Sequence, residues 1–424
     1  MTIHVVQPGE TLEDIAVSYG VDPGLLASDN EVPEGGALAV GQTLVVRFPR
    51  QVHAVAAGET LTSIAAAYGT DVRTLWQNNW ALGGQDDLKE GQLLTISYFG
   101  EKIGSAALNG YAYPFIQPDL LASQLPYLTY MAPFTYGITA QGDLLPLEDD
   151  EMLSAARRRG TRPVMHLSTL TESGQFDTER GAMVLTDGDR QERLITEILQ
   201  TMGRKGYGGL DVDFEYLPPR LGEAYAAFLE RLHRLLRARG LFLWAALAPK
   251  TSSAQRGLLY EAHNYAAVGL AVDAVLLMTY EWGYTAGPPM AVAPLPNVRA
   301  VLDYAVTEIP AGKIFLGIPN YGYDWTLPFV QGVTRARSIS NQYAIQLARE
   351  HDIAIQFDDT AQAPFFHYTG ADGAVHEVWF EDARSMEAKL RLIAEYGFQG
   401  GGVWNLMRPF SQIWLTASSL YDIW

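Results

Sequence analysis

Gly208-Gly209-Leu210-Asp211-Val212-Asp213-Phe214-Glu215-Tyr216 reads as a strand with two unlike faces. Side chains alternate along a strand, so Asp211, Asp213 and Glu215 share one side and Val212, Phe214 and Tyr216 the other. Successive carboxyls are then separated by roughly 6.6 Å of backbone. If they face the inside of a barrel, three such charges cannot all persist, and at least one proton is expected to stay near neutral pH. Acidic alternation also occurs on exposed edge strands. Here Gly208-Gly209-Leu210 before the run and Leu217-Pro218-Pro219 after it frame a buried strand that ends in a turn. Glu215, the outermost, is the candidate general acid, with Asp213 below it and Asp211 deepest.

Seven further strand candidates flank this one: 108–115, 128–136, 162–168, 241–248, 274–282, 314–321 and 401–406, with 209–216 as the fourth in order. Helical patterns such as 222–239 lie between most of them. Alternating strands and helices point to a parallel sheet, and eight such units close into a (β/α)8 TIM barrel spanning 101–424. One gap is too long. About 80 residues separate Tyr321 from Gly401 where the single helix 385–396 would suffice. A small α+β insertion is therefore expected at about 325–380, with a helix at 340–351 and strands near 353–357, 364–369 and 377–380. In such a barrel the chemistry gathers where the strands end, so late polar residues are the ones to follow.

Ahead of the barrel the sequence repeats itself. Val6-Gln7-Pro8-Gly9-Glu10-Thr11-Leu12 returns as Val55-Ala56-Ala57-Gly58-Glu59-Thr60-Leu61, Ile15-Ala16 as Ile64-Ala65, Tyr19-Gly20 as Tyr68-Gly69, and Asn30 as Asn79. The register slips by one before Gly41-Gln42-Thr43-Leu44 and Gly91-Gln92-Leu93-Leu94. Each copy reads strand, helix, helix, strand, with Thr11 or Thr60 as helix N-cap and Leu12, Ile15, Tyr19, Leu61, Ile64 and Tyr68 as core. The pattern resembles the LysM module at 2–49 and 51–98. That resemblance implies a groove for N-acetylglucosamine polymers, formed by the loops around Gly9, Thr11, Leu12 and Asn30 and, in the second copy, Gly58, Thr60, Leu61 and Asn79. Two weak sites in tandem gain by effective concentration on an insoluble polymer.

Composition narrows the partners. The 424 residues carry a net charge of -18, which argues against nucleic acid, since phosphate binding needs a basic surface. No apolar run is long enough to span a bilayer, so no membrane partner is expected. The start Met1-Thr2-Ile3-His4 lacks the basic and apolar segments of a signal peptide. There are no cysteines, hence no disulfide and no thiolate zinc site. No metal-ligand spacing or phosphate-cradling loop is evident, so neither metal nor cofactor is expected. A monomer is expected.

The acidic strand is similar to the Asp-Gly-x-Asp-x-Asp-x-Glu signature of glycoside hydrolase family 18, the chitinase-like barrels, with Gly208 where the first Asp stands. Met278-Thr279-Tyr280-Glu281 resembles the family's Met-x-Tyr-Asp, with Glu281 replacing Asp. Gly402-Val403-Trp404 matches the strand whose tryptophan floors the sugar site. The third strand, ending Met165-His166-Leu167-Ser168-Thr169, lacks the Ser-x-Gly-Gly of many chitinases. The resemblance implies substrate-assisted chemistry, in which the sugar's own 2-acetamido oxygen attacks the anomeric carbon. Glu215 would be acid and then base, Asp213 would hold the acetamide N–H, Asp211 would share a proton with Asp213, and Tyr280 would donate to the acetamide carbonyl. Trp404 would lie beneath the sugar, with Met278, Glu281, Trp282, Tyr111, Asn320 and Tyr321 as further substrate contacts. Tyr113, Phe134, Tyr136 and Tyr323 lie near the expected mouth. His166 could touch substrate but reads first as a hydrogen-bonded core residue, and Asp149-Asp150-Glu151 reads as a helix start with a solvated face.

Two wall-binding repeats before such a barrel, together with Met278 to Tyr284, resemble the N-acetylglucosaminidases with which spore-forming bacteria break down cortex fragments. Peptidoglycan hydrolysis at the spore or cell wall is the implied activity. The alternatives are a chitinase or chito-oligosaccharide hydrolase, and a sugar-binding barrel without activity.

Overall fold

The computed structural model describes residues 1–33, 35–171 and 173–424. Both repeats form the expected units. In the first, Thr2–Val5 pairs antiparallel with Thr43–Val46 around helices Leu12–Tyr19 and Pro23–Asp29. In the second, Pro49–Ala54 pairs with Leu93–Tyr98 around Leu61–Tyr68 and Val72–Asn78. Thr11 and Thr60 are the N-caps, each accepting from the backbone N–H three residues on, while Asp14 and Ser63 bond back to the cap N–H.

The barrel strands are β1 (Gly104–Ala112), β2 (Tyr130–Pro133), β3 (Arg162–Ser168), β4 (Gly209–Asp213), β5 (Phe242–Leu247), β6 (Ala274–Leu277), β7 (Ile314–Pro319) and β8 (Gly400–Trp404). They are parallel in sequence order, and β8 closes on β1 from Gly400 opposite Ala107 to Trp404 opposite Tyr111. Most end earlier than the hydrophobic pattern implies, because the chain turns away once its carbonyls reach the barrel mouth. Beyond the closed barrel, Tyr421–Ile423 adds a parallel strand alongside the start of β1.

The alternation of β4 is realised in packing. Phe214 faces outward and stacks on Tyr225 and Phe228 of helix Gly222–Arg237, with ring centroids 5.9 Å away in both cases. Inside, Tyr130, Trp244 and Phe315 plug the lower barrel, with Trp244 4.8 Å from each of the other two rings. That plug leaves only the upper half for polar side chains.

The insertion after β7 is a five-stranded antiparallel sheet in the order Arg337–Ile339, Gly322–Leu327, Val375–Trp379, Ala363–Thr369, Gln356–Asp358, with helix Asn341–Glu350. It starts at Gly322, earlier than position 325. The strands at Gly322 and Arg337 are ones the alternation pattern missed.

Both small units are docked on the barrel. Gly41 lies so close to Ile355 that a Cβ there would stand 2.1 Å from its carbonyl oxygen, and a Cβ on Gly84 would stand 2.1 Å from the Ala122 oxygen. Neither position admits a side chain. Gln412 donates to the Thr43 carbonyl at 2.6 Å, and Arg73 donates to the carbonyls of Pro126 and Leu128 at 2.8 and 2.7 Å. Between the two units, buried Arg47 pairs with buried Asp29 at 2.9 Å and donates to the carbonyls of Gln77 and Asn78 at 3.2 Å.

Candidate active site

Strand register assembles the centre. In that register Asp211 lies opposite His166 of β3, and Trp404 lies between Tyr111 of β1 and Pro319 of β7. Tyr111 donates to Asp211 Oδ2 at 2.7 Å. His166 Nε2 stands 3.6 Å from Asp213 and 4.0 Å from Asp211, while its Nδ1 is 2.6 Å from Thr135 Oγ1. Burial drives the His166 pKa down to about 3, so the ring is neutral at physiological pH. It is buried and hydrogen-bonded, and it also lines the cavity.

The three carboxyls respond to being taken out of water. Burial raises Asp211 to about 6, against the opposing hydrogen bond from Tyr111. Asp213 is pushed well above the carboxylate range by burial, then by the charges of Glu215 and Asp211. Burial, followed by the negative charge of Glu281, raises Glu215 to about 7. A proton is therefore held on this strand near neutrality. One oxygen each of Asp211 and Asp213 is buried without a hydrogen-bond partner among the described residues.

A cavity of about 520 Å³ opens above them, walled by Asp213, Glu215, Tyr280, Glu281, Tyr111 and Trp404 among others. Met278 and Trp282 also line it. Trp404 packs edge-on against Phe134 at 4.7 Å, and Tyr113 stacks on Phe115 at 5.3 Å. Of the mouth aromatics, Tyr113 and Phe134 reach the cavity. Tyr136 is turned outward to buried Asp149, which also accepts from Tyr207 and Lys205. Asp149 thus begins a helix as expected but is not solvated, because two phenols and an ammonium satisfy it internally.

Two candidate contacts are displaced from the wall. Asn320 is buried and spends its amide on the carbonyls of Asn405 and Arg408, both at 3.0 Å, and on Asn341. Tyr321 donates to the Glu281 carboxylate from behind, and Tyr323 joins it at 3.0 Å. Both lie beyond the end of β7 at Pro319, where in-and-out alternation no longer applies. Glu281 has φ +68°, so the backbone itself turns its side chain toward these phenols. Phe176, Tyr260 and Tyr284 line the cavity from loops, and no local periodicity marks them; Tyr216, which alternation put on the outer face, lines it too, because β4 ends at Asp213 and Tyr216 takes φ +54°.

The charge of Glu281 gives a testable consequence. The acid form of Glu215 is lost as pH rises through its pKa, and Glu281 helps to hold that pKa up. Glu281→Gln removes the repulsion, so the alkaline limb of the kcat/KM profile should move to lower pH. A profile that stays fixed or moves upward contradicts the coupling.

In the repeats, Gly9, Thr11, Gly58 and Thr60 are exposed in their turns. Leu12 and Leu61 are core side chains. Asn30 and Asn79 are buried, each donating to two carbonyls and accepting from the backbone of Val45 or Thr95. These four can contribute to a groove only through the backbone they fix.

The sequence matches glycosyl hydrolases family 18 over residues 171–408 and the LysM domain over residues 4–47 and 53–97. It is 42% identical to the cortical fragment-lytic enzyme of Bacillus subtilis, covering 100% of this chain and 99% of that one. The crystal structure of the Bacillus megaterium spore cortex-lytic enzyme SleL superposes with a TM-score of 0.84 at 36% identity, covering 99% of this chain and 98% of that one. A chitinase from Chromobacterium violaceum superposes at 0.69 with 26% identity, covering 74% of this chain and 98% of that one.

Proposed function

The chain belongs to glycosyl hydrolase family 18 and carries two LysM domains, and on that premise we propose that it is a spore-cortex peptidoglycan hydrolase cutting after N-acetylglucosamine. We assign residues 2–49 and 51–98 to wall binding and 101–424 to catalysis. The observation that carries the chemistry is Glu215 at the cavity wall, with its pKa raised to about 7 and a second buried carboxyl, Asp213, two residues before it at the end of β4.

The reaction is retaining and substrate-assisted. Glu215 protonates the leaving oxygen while the 2-acetamido oxygen attacks the anomeric carbon, forming an oxazolinium ion. Asp213, with one oxygen unpartnered, accepts the acetamide N–H and offsets the developing positive charge. Asp211 shares a proton with Asp213 and is itself steadied by Tyr111. The Tyr280 hydroxyl has no hydrogen-bond partner among the described residues, which leaves it free to donate to the acetamide carbonyl. Trp404 supplies an apolar floor. Glu215 then takes a proton from water, which opens the oxazolinium with retention.

The protein works as a monomer at the spore or cell wall. Mass spectrometry of cortex digests tests the reading: new reducing ends on N-acetylglucosamine support it, and new ends on muramic acid overturn it. A thiazoline mimic of the oxazolinium should inhibit competitively, and indifference to it would count against substrate assistance.

A further inference from the structure

Arginines gather at one end of the barrel, although the net charge is -18. Helices run down the outside of the barrel and return to the strands at the end opposite the cavity. There, three successive returns, before β3, β4 and β5, carry Arg157, Arg158, Arg162, Arg204, Arg237 and Arg239. All six are exposed, and none forms an ion pair with a described carboxylate.

Hydrogen bonds join the first two returns, and a guanidinium–ring contact joins them to the third. Arg157 donates to the carbonyls of Lys205 and Gly206, and Arg162 donates to the Gly208 carbonyl at 2.9 Å. The Arg162 guanidinium also lies 4.9 Å from the centre of the Phe242 ring at the start of β5. Cations at helix C-termini complement the helix dipole, and Arg157 and Arg239, both bonded to carbonyls, are partly accounted for in that way. Arg204 and Arg237 are not, since neither has a side-chain hydrogen bond among the described residues.

The arc borders the second LysM domain. The neighbouring Arg159 donates to the Gly84 carbonyl at 2.8 Å and reaches Gln85 at 3.4 Å. The cavity at the other end of the barrel is lined by Asp213, Glu215 and Glu281 and, among the described residues, by no lysine or arginine. The molecule is thus polarised, with an acidic mouth and a basic base that continues from a glycan-binding module.

We propose that this arc is a second wall-docking surface, which binds the carboxylates of peptide stems on strands next to the one being cut. The inference rests on the peptidoglycan reading above. Stem carboxylates are the anions carried by that polymer, and they recur along each strand, so several separated guanidinium groups can each meet one.

The test compares native sacculi with sacculi whose carboxylates have been amidated, a change that removes charge and leaves the glycan intact. At low ionic strength the full-length protein should bind native sacculi roughly tenfold more tightly, with the difference disappearing in high salt. Arg158→Glu, Arg204→Glu, Arg237→Glu and Arg239→Glu combined should abolish the preference while leaving turnover of chito-oligosaccharides unchanged. The four matching Arg→Gln changes serve if the reversed charges impair folding. Equal binding to the two sacculi by the unmodified protein, a preference that survives the substitutions, or tighter binding to duplex DNA than to native sacculi would each overturn the proposal. Failure to cleave cortex or chito-oligosaccharides would instead remove the catalytic reading, and the binding comparison is measured separately from it.

Discussion

Glu215→Gln should lower turnover of cortex fragments by roughly 10³-fold while leaving their affinity within a few-fold of the unmodified protein. The amide fills the same volume and still reaches the glycosidic oxygen, but it has no acidic proton to give. Its pKa, raised to about 7 chiefly by burial, is what makes the native carboxyl a usable donor near neutrality. The change should also flatten the alkaline limb of the pH profile, because the group that loses its proton there is gone. Single-turnover rates measured beside equilibrium binding separate the two quantities. Undiminished chemistry in this variant would remove Glu215 from the reaction.

Asp213→Asn should cost roughly 10²- to 10³-fold in kcat, with a smaller change in KM. Asp213 is buried, its charged form is opposed by Glu215 and Asp211, and one of its oxygens has no partner. The charged form becomes favourable only when positive charge develops beside it, as it does in an oxazolinium ion. An amide at this position can orient the acetamide but cannot counter that charge. The thiazoline mimic should consequently lose more affinity for the variant than the substrate does. Equal losses for both would mean that Asp213 acts in binding alone.

The centre of this site was legible because its information is local. Two-residue alternation put Asp211, Asp213 and Glu215 on one face, and the outward stacking of Phe214 on Tyr225 and Phe228 shows the same alternation from the other side. The eight barrel strands and the duplicated helix caps at Thr11 and Thr60 were legible for the same reason. What the pattern misplaced is set by distant partners. Asn320 and Tyr321 follow the last residue of β7, and long-range partners at Asn405, Arg408 and Glu281 decide where they point. Asp149 looked solvated within an acidic triplet. Its true surroundings come from Tyr136, Tyr207 and Lys205, between 13 and 58 residues away in sequence. The cavity aromatics Phe176, Tyr260 and Tyr284 belong to loops and leave no periodic trace, while Tyr216, past the end of β4, breaks the alternation that put it on the outer face.

The two glycine contacts and the buried Arg47–Asp29 pair bear on how such an enzyme travels. Binding modules on flexible tethers let a catalytic domain sample many bonds around one anchorage, over a radius set by linker length. Here the anchors are bolted to the barrel, and the guanidinium that joins them is buried where solvent cannot replace its partners. The reach from any one foothold is close to a single fixed vector. If the LysM domains hold the wall as proposed, each new bond requires the foothold itself to be released and retaken, so the pace along the wall would depend on how quickly they let go, and tighter anchoring would slow the enzyme down.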